Sequence, residues 1–264
     1  MARSLIPNTT WSRRLIYELI YLSLGFNRTA VFNVGFAPAQ PDIRANPAFA
    51  DRPNQIQLYA EMFNQLPWEA DHWRSSDCLE LAAGCGAGLL YLNTRHAPRT
   101  SVGVEQSYVA AWRGRRLGVD VRPGDVARLS FADACFDCVF CVDALGYFPV
   151  AAALKEAFRV VRPGGYLLLG ETFQGPPEEA QAHFRRIGEA AGFDFVHCRD
   201  ATGGVRRSLL EGSKSSAFVR SLPALLRNSL KETLFLEGSE RLRLWQTGAF
   251  SSVIMTFTRS SSRR

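Results

Sequence analysis

Between Cys78 and Cys198 the chain alternates short apolar runs with segments of helical periodicity, and this alternation restricts the fold more than any other feature. Cys78–Ala82, Ser101–Glu105, Val119–Arg122, Phe136–Val142, Tyr166–Leu169 and Phe193–Cys198 read as strands. Ala87–Arg95, Tyr108–Arg116, Ala151–Val161 and Glu178–Ala191 carry apolar residues at helical spacing. Strands that are apolar on both faces and separated by helices belong to parallel sheets covered on both sides. With Phe250–Thr258 as a further strand, the expectation is an α/β chain with a mostly parallel, seven-stranded sheet.

The flanks break this rhythm. Residues 1–30 read as helix closing at Gly25, 31–53 as an extended Pro/Asn/Ala-rich loop, and Gln55–Gln65 as helix. Residues 203–247 read as helices and loops, before Phe250–Thr258 completes the sheet at an edge. Two parts are therefore expected. Residues 1–66 form a helical lid and substrate-side segment, and residues 67–264 a ligand-binding α/β domain with a helical cap inserted at 203–247.

Composition removes several classes of function. The chain has 264 residues, 47% of them hydrophobic, which suits a folded core. No apolar run reaches the length of a membrane span, so stable membrane insertion is not expected. The net charge of +6 is scattered over arginine pairs and accompanies no nucleic-acid-binding motif, so no nucleic-acid partner is expected. The six cysteines sit mostly in apolar strands, which fits free thiols in the reducing cytoplasm. Cys135-x-x-Cys138-x-x-Cys141 invites a metal reading, but no second cluster or histidine pair is near, and no metal is expected. His72, His96, His183 and His197 read as ordinary residues flanking the core. Arg3, Arg13 and Arg14 precede the first acid, Glu18, as in a transit peptide. The apolar spacing of Leu15, Ile16, Leu19 and Ile20 favours a lid helix, with membrane-surface contact as the lesser reading.

Four motifs carry chemistry. In Cys78-Leu-Glu-Leu-Ala-Ala-Gly-Cys-Gly-Ala-Gly88 an apolar strand runs through small residues into a helix. Glycines at such a turn let a ligand approach the backbone, beyond the carboxyl ends of the strands. Gly84, Gly86 and Gly88 are therefore expected to face a ligand. The dinucleotide pattern G-x-G-x-x-G fails, because Leu89 stands where its last glycine would be. Glu105, at the tip of the second strand, can accept both hydroxyls of a ribose. Gly124-Asp125 makes a turn after the third strand. Arg159-Val-Val-Arg-Pro-Gly-Gly165 is expected to stop a helix and reverse the chain into a strand.

In this order and spacing the four motifs resemble those of class I S-adenosylmethionine-dependent methyltransferases, which have a Rossmann-like fold. Val31-Phe-Asn-Val-Gly-Phe36, Asn54-Gln-Ile-Gln-Leu-Tyr59 and Gly238–Arg259 extend the likeness to the phthiotriol-dimycocerosate methyltransferase group, whose members act on large polyketides and related lipids. The resemblance implies S-adenosylmethionine as cofactor. It places Glu80 near the amino-acid end, Glu105 and Gln106 at the ribose, and Asp125 with Val126 at the adenine. Ala82, Gly84, Gly86, Gly88 and Cys141 complete the cofactor pocket, and Phe36, Gln57 and Tyr59 line it or the substrate pocket. Ala82 stands where the motif has its first glycine. Gly146 stands where relatives often have a histidine able to take the substrate proton.

Methyl transfer needs mainly alignment of the nucleophile with an already activated carbon, at about 3–3.5 Å. Asp143, Tyr147 and Glu171, each just beyond a strand end, are the candidate catalytic residues. The expected function is methylation of a bulky apolar small molecule at oxygen, nitrogen or carbon. A homodimer is compatible with the sequence. Because of Gly146, a second reading keeps the fold and the cofactor but has the enzyme cyclise or rearrange a polyketide-like substrate. A third is a non-catalytic cofactor-binding module. The Asn/Asp-Pro-Pro-Tyr/Phe signature of base methylation is absent after the fourth strand.

Overall fold

The computed structural model describes residues 18, 21–22, 31–212 and 238–261. Its helices are α1 (Pro41–Ala45), α2 (Pro53–Phe63), α3 (Ala70–Ser75), α4 (Ala87–Arg95), α5 (Tyr108–Arg116), α6 (Val150–Val160), α7 (Pro177–Ala190), α8 (Thr202–Gly212) and α9 (Glu240–Gln246). Its strands are β1 (Asp77–Leu81), β2 (Thr100–Glu105), β3 (Val121–Pro123), β4 (Phe136–Val142), β5 (Val161–Gln174), β6 (Asp194–Asp200) and β7 (Phe250–Thr258). Glu18, Tyr21 and Leu22 are helical as well. Most of the expected lid helix before residue 31, and the cap between 213 and 237, lie outside the described residues.

The strands form one sheet in the order β3–β2–β1–β4–β5–β7–β6. β1 to β5 pair in parallel, and β7 runs antiparallel to both β5 and β6. This is the Rossmann-like architecture of class I methyltransferases. The expectation that Phe250–Thr258 ends the sheet is corrected: β7 lies inside it and β6 is the edge. Burial gives the reason. Val253, Met255 and Phe257 enter one core and Ile254 the other, all at 0% exposure. A strand so apolar on both faces requires cover on both sides, whereas β6 is only half-buried along its length.

Side chains alternate across the sheet into two cores. Cys78, Cys138, Phe140, Leu168 and Ile254 face the core covered by α2, α4, α8 and α9. Leu79, Leu81, Val139, Cys141, Leu167 and Leu169 face the core covered by α6 and α7. Cys138 and Cys141, three residues apart on one strand, therefore point to opposite faces and cannot converge on one metal ion.

Two further expectations are corrected, and α3 is a helix that the sequence analysis did not read. Within 31–53, Pro41 supplies the first turn of α1, whose Ile43 is buried, so this stretch is not wholly extended. α3 had no strong periodic signal because it spans only six residues around one buried side chain, Trp73. The Pro163-Gly164-Gly165 stretch does not separate helix from strand. α6 ends at Val160 and β5 begins at Val161, with the Pro-Gly-Gly forming an irregularity inside the strand. Gly164 takes φ +83° there, and a Cβ on Gly165 would come within 2.9 Å of the Asp137 carbonyl oxygen.

Candidate functional site

The parallel order reverses between β2 and β4 on either side of β1, opening the crevice beyond the carboxyl ends of the strands where α/β sheets bind ligands. Glu80, next to last in β1, is 2% exposed. The Tyr59 hydroxyl and the Leu89 amide bond its carboxylate, yet Oε2 is buried without a partner. Burial, with the Glu105 charge adding to it, pushes this carboxyl up to about 8. Burial and the charge of Glu80 likewise raise the Tyr59 hydroxyl well above its usual range.

The loop after β1 passes through left-handed conformations at Ala82 (φ 55°), Gly84 (φ 55°) and Gly86 (φ 75°). The three glycines serve different ends. A Cβ on Gly86 would strike the Val119 and Val121 methyls at 2.6 and 2.8 Å. One on Gly88 would overlap the Tyr59 ring and the Glu80 carboxylate. At these two positions the packing of the protein itself excludes a side chain, a reason the sequence did not supply. At half-buried Gly84 the Tyr21 hydroxyl lies 3.1 Å from the place of the missing Cβ.

Glu105 ends β2 and is 6% exposed. Oε2 accepts the Gly84 N–H at 2.9 Å and Oε1 the Ser107 N–H at 2.8 Å, and the half-buried Gln106 adds its own amide. Burial raises this carboxyl too, and the Glu18 charge adds to the effect. Glu18 accepts from Ser107 Oγ and the Tyr108 N–H at 2.8 Å, and from the Val109 N–H at 3.1 Å, closing the start of α5. Asp125 is exposed just past β3, where Oδ1 accepts the Ala127 N–H at 2.9 Å. Val126 is buried beside it.

The other side of the crevice holds the predicted catalytic residues. Asp143 follows β4 in a left-handed conformation (φ 49°). Its Oδ2 accepts the Val34 N–H at 2.8 Å, and its Oδ1 is buried without a partner. Burial pushes the Asp143 carboxyl up to about 6, against the pull of the Val34 amide and of Arg241 on α9. Glu171 on β5 accepts the Ala144 and Leu145 N–H groups at 2.9 and 3.0 Å. Burial, then the charge of Asp143, pushes it up to about 8. Cys141 is buried in β4, its thiol raised by burial and by Glu171, Glu80 and Asp143 in turn. Tyr147 closes a short turn through its N–H to the Ala144 carbonyl at 3.0 Å and packs on the α6–α7 core. Gly146 is exposed, and a Cβ there meets nothing within 4 Å.

Sequence reasoning missed the strap that joins the two sides. Asn33 bonds the Tyr59 hydroxyl, and the next residue, Val34, holds Asp143. Gly35 turns back onto Asn33 Oδ1 at 2.9 Å, and Ser208 Oγ donates to the Val34 carbonyl at 3.0 Å. Asn before Val-Gly was a turn signal, but nothing in the sequence named its partner. Two residues expected at the pocket are engaged with protein. Gln57 donates to Glu61 at 2.8 Å and accepts from the Gln40 N–H at 2.9 Å. The Phe36 ring packs against Gly204, under the Arg199 guanidinium at 5.6 Å. The histidines lie outside the carboxylate cluster. His96 sits among Phe63, Trp73 and Tyr91, where burial lowers it to about 4. His72 stacks on Trp68, His183 lies beside Phe173, and His197 bonds Gln65.

Comparison with known proteins agrees with this geometry. A family described as a methyltransferase domain matches residues 79–169. The phthiotriol/phenolphthiotriol dimycocerosates methyltransferase of Mycobacterium tuberculosis is 26% identical over 253 residues, covering 93% of this chain and 91% of that protein. Among solved structures, the [4+2]-cyclase SpnF superposes with a TM-score of 0.73 at 17% identity, covering 96% of this chain and 97% of its own. Geranyl diphosphate C-methyltransferase from Streptomyces coelicolor A3(2), solved with S-adenosyl-L-homocysteine, gives 0.66 at 15% identity, covering 93% and 97%.

Proposed function

We propose that this S-adenosylmethionine-dependent methyltransferase of class I fold methylates a bulky, apolar small molecule at an atom that gives up a proton, a hydroxyl oxygen first. One juxtaposition carries the proposal. Two buried carboxylate oxygens without partners, Glu80 Oε2 and Asp143 Oδ1, are held from the same strap, by way of Tyr59 for Glu80 and directly for Asp143.

The cofactor side fits the group the family uses. A buried orphan carboxylate oxygen is a costly feature that a cationic ligand offsets. Glu80 would hold the cofactor's ammonium, Glu105 its ribose hydroxyls and Asp125 its adenine amine, with the backbone at Gly84 alongside. Bound there, S-adenosylmethionine supplies a methyl group already activated by its sulfonium. The protein supplies orientation and a place for the proton. Two adjacent buried carboxyls do not both ionise cheaply. Burial raises both, and geometry separates them: Asp143 Oδ1 is without a partner and open to a proton, while Glu171 is fixed by the Ala144 and Leu145 amides. Asp143 therefore takes the acceptor's proton, and Glu171, fixed by two amides, limits the charge around it. Tyr147 borders the acceptor.

The relative from M. tuberculosis, named for phthiotriol and phenolphthiotriol dimycocerosates, supports an apolar acceptor. Residues 1–66 would serve as lid and substrate-side segment, since Tyr21 already stands over Gly84 and Glu18 closes α5. We place the enzyme in the cytoplasm, its six cysteines being free. We infer no nucleic-acid partner, since the arginines are scattered along the chain and accompany no nucleic-acid-binding motif.

The test measures S-adenosylhomocysteine and methylated product with apolar hydroxylated acceptors. Asp143→Asn should lower kcat by about 10²–10⁴-fold with cofactor affinity kept. Wild-type activity should fall as pH drops through about 6. An unchanged kcat in Asp143→Asn would refute the assigned base. A second reading, cyclisation with the cofactor in a structural role, is favoured by Gly146, which leaves open space where relatives often carry a histidine. Isomerised substrate without S-adenosylhomocysteine would select it.

A further inference from the structure

α5 presents a face that the sheet does not use. Ala110, Ala111 and Gly114 pack inward. Tyr108, Trp112, Arg115 and Arg116 are all exposed and span about 100° of the helix circumference. Tyr108 and Trp112 are 61% and 42% exposed, and the Arg116 guanidinium lies 5.1 Å above the Trp112 ring. The helix contains three arginines and no acid.

The N-terminal helical turn extends this face. Glu18 bonds the Tyr108 and Val109 amides, and the Tyr21 carbonyl accepts from Arg113 at 2.8 Å. Leu22, the next residue, is 63% exposed. Of five large apolar side chains exposed among the described residues, these two touching elements contribute three. Arg115 donates to the Val121 carbonyl at 2.9 Å, but the Glu18 carboxylate is spent on the α5 amides and Asp120 is paired with Arg122, so among the described residues neither of these acids offsets the charge of Arg115 and Arg116. Exposed aromatic rings with a polar edge, an exposed leucine and uncompensated arginines form the composition that rests at a bilayer interface.

We propose that the α5 face and the adjoining N-terminal turn dock peripherally on an anionic lipid bilayer. Tyr108, Trp112 and Leu22 enter the headgroup region, and Arg115 and Arg116 meet lipid phosphates. No helix among the described residues is long and apolar enough to cross a membrane, so the contact lies on the surface. The turn standing over Gly84 would then sit at the bilayer, where an apolar acceptor is dissolved. The docking itself does not depend on what the acceptor is.

The test is co-sedimentation of the full chain with vesicles of phosphatidylcholine, with and without phosphatidylglycerol. Binding should require the anionic lipid and weaken as salt rises. Arg115→Gln/Arg116→Gln should weaken it roughly 30-fold, each basic side chain being worth about fivefold at an anionic surface. Trp112→Ala should weaken it as well. S-adenosylmethionine affinity, measured in the same variants, should be unchanged, and the melting temperature should fall by no more than a few degrees, Arg115 losing its bond to the Val121 carbonyl. Equal sedimentation with both vesicles, none with either, or undiminished binding by the double variant overturns the proposal. So does a dimer that Trp112→Ala dissociates, since a second copy would then cover the face.

Discussion

With Glu80 as the proposed partner of the cofactor's ammonium, cofactor affinity should depend on pH. The Glu80 carboxyl titrates at about 8 in the ligand-free protein, so near pH 7 roughly one molecule in ten has it ionised. An ammonium group binds the ionised form, and each pH unit below 8 therefore costs about tenfold, or about 1.4 kcal/mol. Between pH 7.5 and 6, where the cofactor's amino group is mostly ammonium, the association constant for S-adenosylmethionine should fall roughly 20-fold. Close to one proton should be released per cofactor bound at pH 7. Calorimetric titration in two buffers of different ionisation enthalpy reads both quantities. Glu80→Gln keeps an acceptor for Tyr59 and Leu89 but cannot ionise, and should bind weakly with most of the pH dependence gone. Stability gives an independent sign. The folded value lies above the ordinary 4.5, so the wild type loses stability as pH rises from about 4.5 through 8, and Glu80→Gln should lose less, keeping only the part due to Glu171, Glu105 and Asp143. A flat wild-type affinity profile, or a full pH slope surviving in Glu80→Gln, would refute the reasoning.

Ala82 holds a left-handed conformation that costs an alanine about 1 kcal/mol, so Ala82→Gly should raise the melting temperature by about 2–4 °C. Destabilisation by that substitution in a thermal melt would count against the loop geometry. Asp77, held well below the usual carboxylate range first by Arg99 and also by Arg162 and Thr100, contributes stability that is present above about pH 4 and lost on acidification. Asp77→Asn should cost about 2 kcal/mol in urea unfolding at pH 7, discounted for the exposed arginines, and the gap should narrow toward pH 2. Gly146→His enters open space and should leave stability within about 0.5 kcal/mol of wild type while adding a titration near pH 6.5 to the rate profile.

Periodicity made the βα alternation legible. Ala87–Arg95, Tyr108–Arg116 and Phe136–Val142 appear with the bounds read from the sequence. Strand order across the sheet was not legible, because the same apolar pattern serves β7 inside the sheet or beside it until its partners are known. Glu80, Glu105 and Asp143 were visible as acids at strand ends. The strap was not, because the Asn33 and Val34 contacts join residues far apart in the chain. The glycine motif marked the loop but not the packing that excludes side chains at two of its glycines. Gly86 and Gly88 are required by Val119, Val121, Tyr59 and Glu80, whose positions only the packed structure supplies.

Cofactor binding in the crevice between Glu80, Gly84 and Glu105 can be measured directly. Calorimetric titration of the purified chain with S-adenosylmethionine at pH 8 should give saturable one-to-one binding, strongly weakened in Glu105→Ala with the fold intact. No heat of binding at millimolar cofactor, or undiminished binding in that variant, would contradict it.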